Sequence, residues 1–314
     1  MIIIKMKIGI TPLIEITNIL FNNCNYNCNY NCNSNNNKIY LKLENLNPSG
    51  SIKDRIVNYI IEDAEKNNLI NKDTTILCSS SGNTGISVAM VSALKNYKSI
   101  IFTDNKCSTE KKNIITSYGS KLEVIEKDYD YYERIKEKEL SNSFCIDQYN
   151  NTLNTQAYIE TLGPELDDQL SNIDYIVCTG STGGTFTGLG TYFKENKEYG
   201  TKMIFGDPYG SIIYNKIKNT NIQDSYNSII EGAGKKRITS IMNLNLIDYV
   251  YKISDEDAIQ MCKFMASKGY LLGGSSGLNI ITSIKMIEDL KIENKNIVVI
   301  CPDAGYRYIS KIYN

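Results

Sequence analysis

Short apolar runs of four to six residues alternate along this chain with longer stretches in which apolar residues recur every third or fourth position. The runs Ile39–Leu43, Thr75–Cys78, Ser99–Thr103, Lys121–Ile125, Asp174–Cys178, Lys202–Gly206 and Asn296–Ile300 read as strands. Between them, Ile56, Ile60 and Ala64 fall on one face of a helix. Further helices are expected over Ile86–Val91 and Thr109–Tyr118, from Phe186 onward and after Gly273. Strands that alternate with helices predict an α/β protein with mostly parallel sheets.

One stretch breaks the rhythm. From Phe21 to Asn37 asparagine dominates, and Cys24, Cys28 and Cys32 recur at every fourth position. Three thiolates so spaced could hold a soft metal or an iron–sulfur cluster. Asparagine-rich low complexity, however, cannot bury a core, and only three ligands are local, so a solvated insert over residues 21–38 with no metal is expected.

Composition narrows the function classes. A length of 314 residues with 42% hydrophobic content suits two lobes with cores of their own. A net charge of −1 gives no electrostatic footprint for nucleic acid, and no apolar run is long enough to cross a membrane. Met1-Ile2-Ile3-Ile4-Lys5 is too short for a signal peptide, so a cytoplasmic protein is expected. Of nine cysteines, Cys78, Cys145, Cys178 and Cys301 sit in strand-like runs and Cys262 in a helix, which suggests reduced, buried thiols. Histidine is absent, which excludes Ser-His-Asp and Cys-His nucleophile systems and imidazole zinc sites. Acid–base work near neutral pH then falls to lysine, cysteine or a carboxylate.

The candidate chemistry lies in four small-residue segments. Pro48-Ser49-Gly50-Ser51-Ile52-Lys53-Asp54-Arg55 sets one lysine in a tight turn directly before a helix. A lysine held against small residues has a lowered pKa and can form a Schiff base, although such a lysine can equally be a solvated charge. Ser79-Ser80-Ser81-Gly82-Asn83-Thr84-Gly85 and Thr179-Gly180-Ser181-Thr182-Gly183-Gly184-Thr185 each join a strand to a helix N-terminus, an arrangement that suits an anion. Gly273-Gly274-Ser275-Ser276-Gly277 opens another helix, where a serine hydroxyl could meet a heterocycle nitrogen.

The order of SGSIKDR, SSSGNTG, GSTGGTFTG, EGAGKKR, GGSSG and PDAGYRYIS resembles the cysteine synthase and cystathionine β-synthase family of pyridoxal 5'-phosphate (PLP) enzymes, fold type II, from Thr11 to the C-terminus. The resemblance implies two lobes, each a mostly parallel twisted sheet flanked by helices. An N-terminal segment, residues 1–20, would cross to the larger lobe. Residues 39–152 would form the smaller, substrate-closing lobe and residues 153–314 the larger, cofactor-phosphate-binding lobe. It also implies small amino-acid substrates and a homodimer.

Carried over residue by residue, Lys53 would be the Schiff-base lysine and the base that moves the Cα proton. Asn83 would meet the ring hydroxyl, and Ser80, Ser81, Gly82, Asn83 and Thr84, helped by Gln148, would hold the substrate carboxylate. Ser181, Thr182, Gly183, Gly184 and Thr185 would cradle the cofactor phosphate, with Ser275 facing the pyridine nitrogen. A neutral serine there does not hold the ring protonated, which favours β-elimination chemistry over transamination.

The family reaction is β-replacement on an O-activated L-serine, O-phosphoserine or O-acetylserine, through an α-aminoacrylate. The nucleophile stays open: sulfide, as in cysteine synthase; the glutamate amine, as in 2,3-diaminopropionate precursor synthesis; or none, as in a cysteine desulfhydrase. The stretches around Glu133-Arg134-Ile135 and Asp147-Gln148-Tyr149 resemble the branch that uses O-phosphoserine, in which Arg134, Tyr149 and Ser181 would hold the substrate phosphate. Arg134 can equally be a surface helix charge. Lys235-Lys236-Arg237 replaces the aromatic common after the EGAG-type loop, and these cations could steer an anionic substrate or simply solubilise the surface. A non-catalytic relative that binds a partner protein is disfavoured by the intact Lys53 and Asn83.

Overall fold

The computed structural model describes residues 6–21, 34–105, 107–125, 142–195 and 200–314. Among the described residues, ten strands form two sheets. Leu13–Glu15 (β1), Lys38–Leu43 (β2), Tyr175–Val177 (β7), Lys202–Pro208 (β8), Tyr249–Ile253 (β9) and Asn296–Cys301 (β10) build a six-stranded sheet in the order β1-β2-β10-β7-β8-β9. Thr75–Ser79 (β3), Lys98–Thr103 (β4), Lys121–Val124 (β5) and Ser143–Ile146 (β6) build a four-stranded sheet in the order β5-β4-β3-β6. Every pairing is parallel except that of β1 with β2.

The central strands read as unbroken apolar runs because helices cover both of their faces. In β10, residues Ile297 through Cys301 are all buried, and β2 buries Ile39, Leu41 and Leu43. The helix Gly274–Leu290 lies in the core of the larger lobe, with Leu278, Ile280, Ile281 and Met286 buried. Serines cap two of the helices as their chemistry favours: Ser108 accepts from the Lys111 N–H, and Ser254 from the Asp257 N–H.

Two boundaries expected from the sequence change. The smaller lobe does not start at residue 39, because β2 pairs in register with β10 from Asn296↔Lys38 to Cys301↔Leu43 and so belongs to the larger sheet. The run Ile39–Leu43 announces a strand, but which sheet accepts it depends on a partner more than 250 positions away. Nor is the end of the 21–38 insert free of structure. The Asn37 amide donates to the Ile292 carbonyl (2.8 Å), its side-chain oxygen accepts from the Lys295 N–H (2.9 Å), and Lys38 opens β2. The Cys24/Cys28/Cys32 repeat lies outside the described residues, as does Arg134.

A buried polar network fixes how the lysine-bearing helix enters. Arg55 donates to both Glu44 carboxylate oxygens (2.7 Å each) and lies 2.9 Å from Glu165. Lys42, buried inside β2, pairs with the same Glu165. Four charges taken out of water together are tolerable because each is matched, and the match ties β2 to the helices Lys53–Lys66 and Gly163–Gln169.

Candidate active site

The turn before the helix Lys53–Lys66 is docked against the chain just after β10. Ser51 and Asp303 form an antiparallel bridge, the Ile52 N–H donates to the Pro302 carbonyl (2.8 Å), and the Ala304 N–H donates to the Gly50 carbonyl (3.1 Å). Gly50 is required here: its φ is +89°, and a Cβ would stand 2.1 Å from the Tyr306 hydroxyl oxygen. Asp54, fully buried, accepts from the Ser49 N–H (2.7 Å) and the Ser87 hydroxyl (2.6 Å). Lys53 is therefore held by its neighbours on both sides.

Lys53 opens into a cleft lined by Asn83, Cys178, Thr179, Gly180, Ser181, Thr182, Gly183, Thr185, Glu231, Gly232, Ser275 and Asp303. Burial pushes its amine down to about 8, with Lys235 adding to the fall and Cys178 and Asp303 opposing it. Burial pushes the neighbouring Cys178 thiol the other way, up to about 12, which leaves it protonated at neutral pH. An amine partly neutral near pH 8 can attack an aldehyde, which a free lysine seldom does at that pH.

One wall comes from the larger lobe. The loop after β7 carries Ser181, Thr182, Gly183 and Thr185 to the N-terminus of the helix Gly184–Glu195. Gly183 has φ +90° and packs so closely that a Cβ would lie 2.5 Å from Met242 Cβ. Gly184, expected in the cradle, packs its Cα against Asn154 and is not among the lining residues. Ser275 faces the cleft from the start of the helix Gly274–Leu290.

The opposite wall is Asn83, from the four-stranded lobe; its neighbours Ser80, Ser81, Gly82 and Thr84, and Gln148 and Tyr149 beyond them, all expected to hold the substrate, are not among the lining residues. Asn83 opens the helix Asn83–Lys95; its amide donates to Asp303 (2.6 Å) and its oxygen accepts from Arg307. Thr84 donates to the Gln148 side-chain oxygen (2.6 Å), and the Gln148 amide reaches the Ser79 carbonyl (3.3 Å). Ser80 hydrogen-bonds the Gly82 N–H (3.2 Å), and Ser81 faces solvent. Tyr149, next to Gln148, is overlain by the Lys235 ammonium, 4.5 Å from its ring centroid.

Sequence reasoning passed over Asp303 and Glu231 as site residues. Asp303 accepts from Asn83 and from the Tyr308 hydroxyl (2.5 Å), while its other oxygen is buried without a partner. Glu231 pairs with Lys111 of the four-stranded lobe and with Lys311 (3.1 Å), and these cations outweigh its burial to hold its carboxyl below the usual range. Both lie inside the motifs PDAGYRYIS and EGAGKKR, where a carboxylate set among small residues is the available signal.

The lining residues fit PLP. They provide a partly neutral amine, a loop of hydroxyls and N–H donors at a helix N-terminus for a phosphate, a neutral serine, and the buried Thr179 hydroxyl, which lacks a protein partner. No group of three or more cysteines and carboxylates suited to a metal occurs among the described residues. No described helix is long and apolar enough to cross a membrane.

Comparison with known proteins points the same way. Residues 4–303 match the family model described as pyridoxal-phosphate dependent enzyme. Cystathionine beta-synthase of Apis mellifera is 34% identical over 318 residues, which is 98% of this chain and 60% of that protein, so the chain spans less than two thirds of that relative. Cysteine synthase 1 of Emericella nidulans is 32% identical over 289 residues, 88% of this chain and 78% of that protein. The crystal structure of the O-acetylserine dependent cystathionine beta-synthase from Helicobacter pylori superposes with a TM-score of 0.84 at 33% identity, covering 100% of both chains. A family match over residues 4–303, with relatives above 30% identity along most of its length, makes this chain a pyridoxal-phosphate dependent enzyme related to the cysteine synthases and cystathionine β-synthases.

Proposed function

We propose that the protein catalyses β-replacement on an O-activated L-serine, exchanging the oxygen leaving group on Cβ for an incoming nucleophile. The observation that carries this reading is Lys53: an amine brought down to about 8, in one cleft with Ser275 and the Ser181–Thr185 loop. When bound, PLP supplies an aldehyde for that amine and a ring that stabilises negative charge at the substrate Cα.

The protein's residues then divide the work. The Lys53 amine would hold the cofactor's aldehyde and, partly neutral, could take the substrate Cα proton and return it. Ser275 offers a neutral hydroxyl where a carboxylate would hold the ring protonated, which favours expulsion of the Cβ leaving group over transfer of the amine. Asn83, braced by Asp303 and Arg307, is held in one orientation at the cleft, where it would meet the ring hydroxyl. Gln148, which accepts from the Thr84 hydroxyl, keeps an amide N–H that would serve the substrate carboxylate. Support also comes from the Helicobacter pylori relative, whose name states its use of O-acetylserine.

The test is product identification by mass. O-acetylserine, O-phosphoserine and cysteine are each incubated with the holoenzyme, with and without sulfide or glutamate. Incorporation of sulfide or amine at Cβ supports β-replacement, whereas pyruvate and ammonia alone would replace it with net elimination.

A further inference from the structure

The three cations of Lys235-Lys236-Arg237 do not share one environment. Lys236 and Arg237 are exposed, whereas Lys235 is drawn inward. Its backbone N–H donates to the Ser211 hydroxyl (3.1 Å), its ammonium lies over the Tyr149 ring at 4.5 Å, and it reaches the Tyr149 hydroxyl at 3.5 Å. Four residues before it, Glu231 lines the Lys53 cleft. Lys235 also lines a recess of about 240 Å³ with Ser211, Tyr209 and Asn227, and it stands near enough to the cleft for its charge to act on Lys53.

A half-buried ammonium normally has a carboxylate beside it. Among the described residues, none pairs with Lys235. The nearby acids are engaged elsewhere: Asp224 and Asp207 face Lys252 at 2.7 and 3.9 Å, and Glu231 faces Lys111 and Lys311. Burial and the neighbouring Arg237 charge hold the Lys235 pKa below that of a free lysine, as expected for a cation awaiting an anion. Tyr149 adds a phenol donor, and it adjoins Gln148, which is bonded to Thr84 in the candidate carboxylate loop.

We infer that Lys235, with Tyr149, is a specificity-determining anion anchor that selects a substrate bearing a second negative group beyond the α-carboxylate of the serine derivative. Two sources share this chemistry: a phosphate leaving group, or the carboxylate of an amino-acid nucleophile. The inference rests on the β-replacement reading and goes beyond it by naming the charge of the substrate pair.

The test compares holoenzyme with Lys235→Met and Lys235→Arg in three assays: O-acetylserine with sulfide, O-phosphoserine with sulfide, and O-acetylserine with homocysteine or glutamate. Cofactor absorbance confirms that each variant is loaded. Loss of one charge-assisted contact should lower the ratio of kcat/KM for an anion-bearing assay to that for O-acetylserine with sulfide by about ten- to a hundredfold in Lys235→Met, and Lys235→Arg should restore most of it. A fall confined to the O-phosphoserine assay assigns the anchor to the leaving group; a fall confined to the third assay assigns it to the nucleophile. A binding readout runs beside the kinetics: acylation of Lys235, followed by mass spectrometry, should be slowed by inorganic phosphate or glutamate. Unchanged ratios and no protection overturn the inference. If the wild-type enzyme turns over no O-activated serine, the β-replacement reading falls, and protection of Lys235 alone then decides for or against the anchor.

Discussion

The two walls of the Lys53 cleft are built to different standards of rigidity. On the larger lobe, Thr182, Thr185 and Ser275 are buried, and Gly183 is pressed against Met242 with no room for a methyl group. On the four-stranded lobe, Ser81 is exposed, and a Cβ on Gly82 would meet nothing within 4 Å. Packing fixes the first wall, and a few side-chain hydrogen bonds hold the second. A wall that grips an unchanging cofactor gains from preorganisation, whereas one that must admit and release a substrate needs slack.

The largest effect should come from the residue both walls share. Lys53→Ala should lose the visible absorbance of the lysine-bound cofactor and all β-replacement turnover, checked by spectrum and by product mass. Retention of both would remove the basis for treating the two walls as one site.

The next test sets one wall against the other with the same substitution. Gly183→Ala must hold φ near +90° and move Met242, and the left-handed backbone alone costs about 1–2 kcal/mol. Cofactor affinity, measured by fluorescence titration of the apoprotein, should fall by about tenfold or more. Gly82→Ala has open space and a negative φ of −149°, so its cofactor affinity should stay within about twofold of wild type. Equal losses would erase the contrast between the walls.

What the sequence reveals follows the same divide. Loops of small residues between an apolar run and a helix are local signals, so the cleft-lining Ser181, Thr182, Gly183, Thr185, Asn83 and Ser275 stand in segments that their neighbours alone mark out. Long-range pairings leave no such trace. Nothing near Asn83 announces that Asp303 and Arg307, more than 200 positions on, will hold its amide. Nothing in the strand-like run Ile39–Leu43 announces that Lys42 is fully buried, because Glu165, its partner, comes from a distant helix. Lys235 is indistinguishable from Lys236 in the sequence, and only the fold turns one inward.

A third, smaller effect should appear on the substrate wall alone. Thr84→Val removes the buried hydroxyl that donates to Gln148 and leaves that amide oxygen unpaired. A lost buried hydrogen bond is worth about 1–3 kcal/mol, so KM for the amino-acid substrate should rise by about tenfold. Cofactor affinity should be retained. A parallel loss of cofactor would mean that the two walls cannot be perturbed separately.

The smallest effect concerns the charge at the junction of the walls. In the apoprotein Lys53 titrates near 8, below the usual lysine value of about 10.5, because burial disfavours its charged form. The sign follows from proton counting. Below pH 8 both folded and unfolded chains carry the proton, and the fold bears the full cost of a buried charge. Between pH 8 and about 10.5 the unfolded chain binds more protons than the folded one, so this group's contribution to stability rises with pH across that window and levels off above it. Lys53→Met keeps the apolar stem and removes the charge. The urea midpoint of the apo-variant should therefore exceed that of the wild-type apoprotein at pH 7, and the gap should narrow as pH rises through the window. Taking the difference between the two proteins cancels the tyrosines and cysteines that titrate in the same range. A gap that stays constant from pH 7 to 10 would mean that the amine is solvated, and the cleft would then have no enclosed junction between its rigid and its yielding wall.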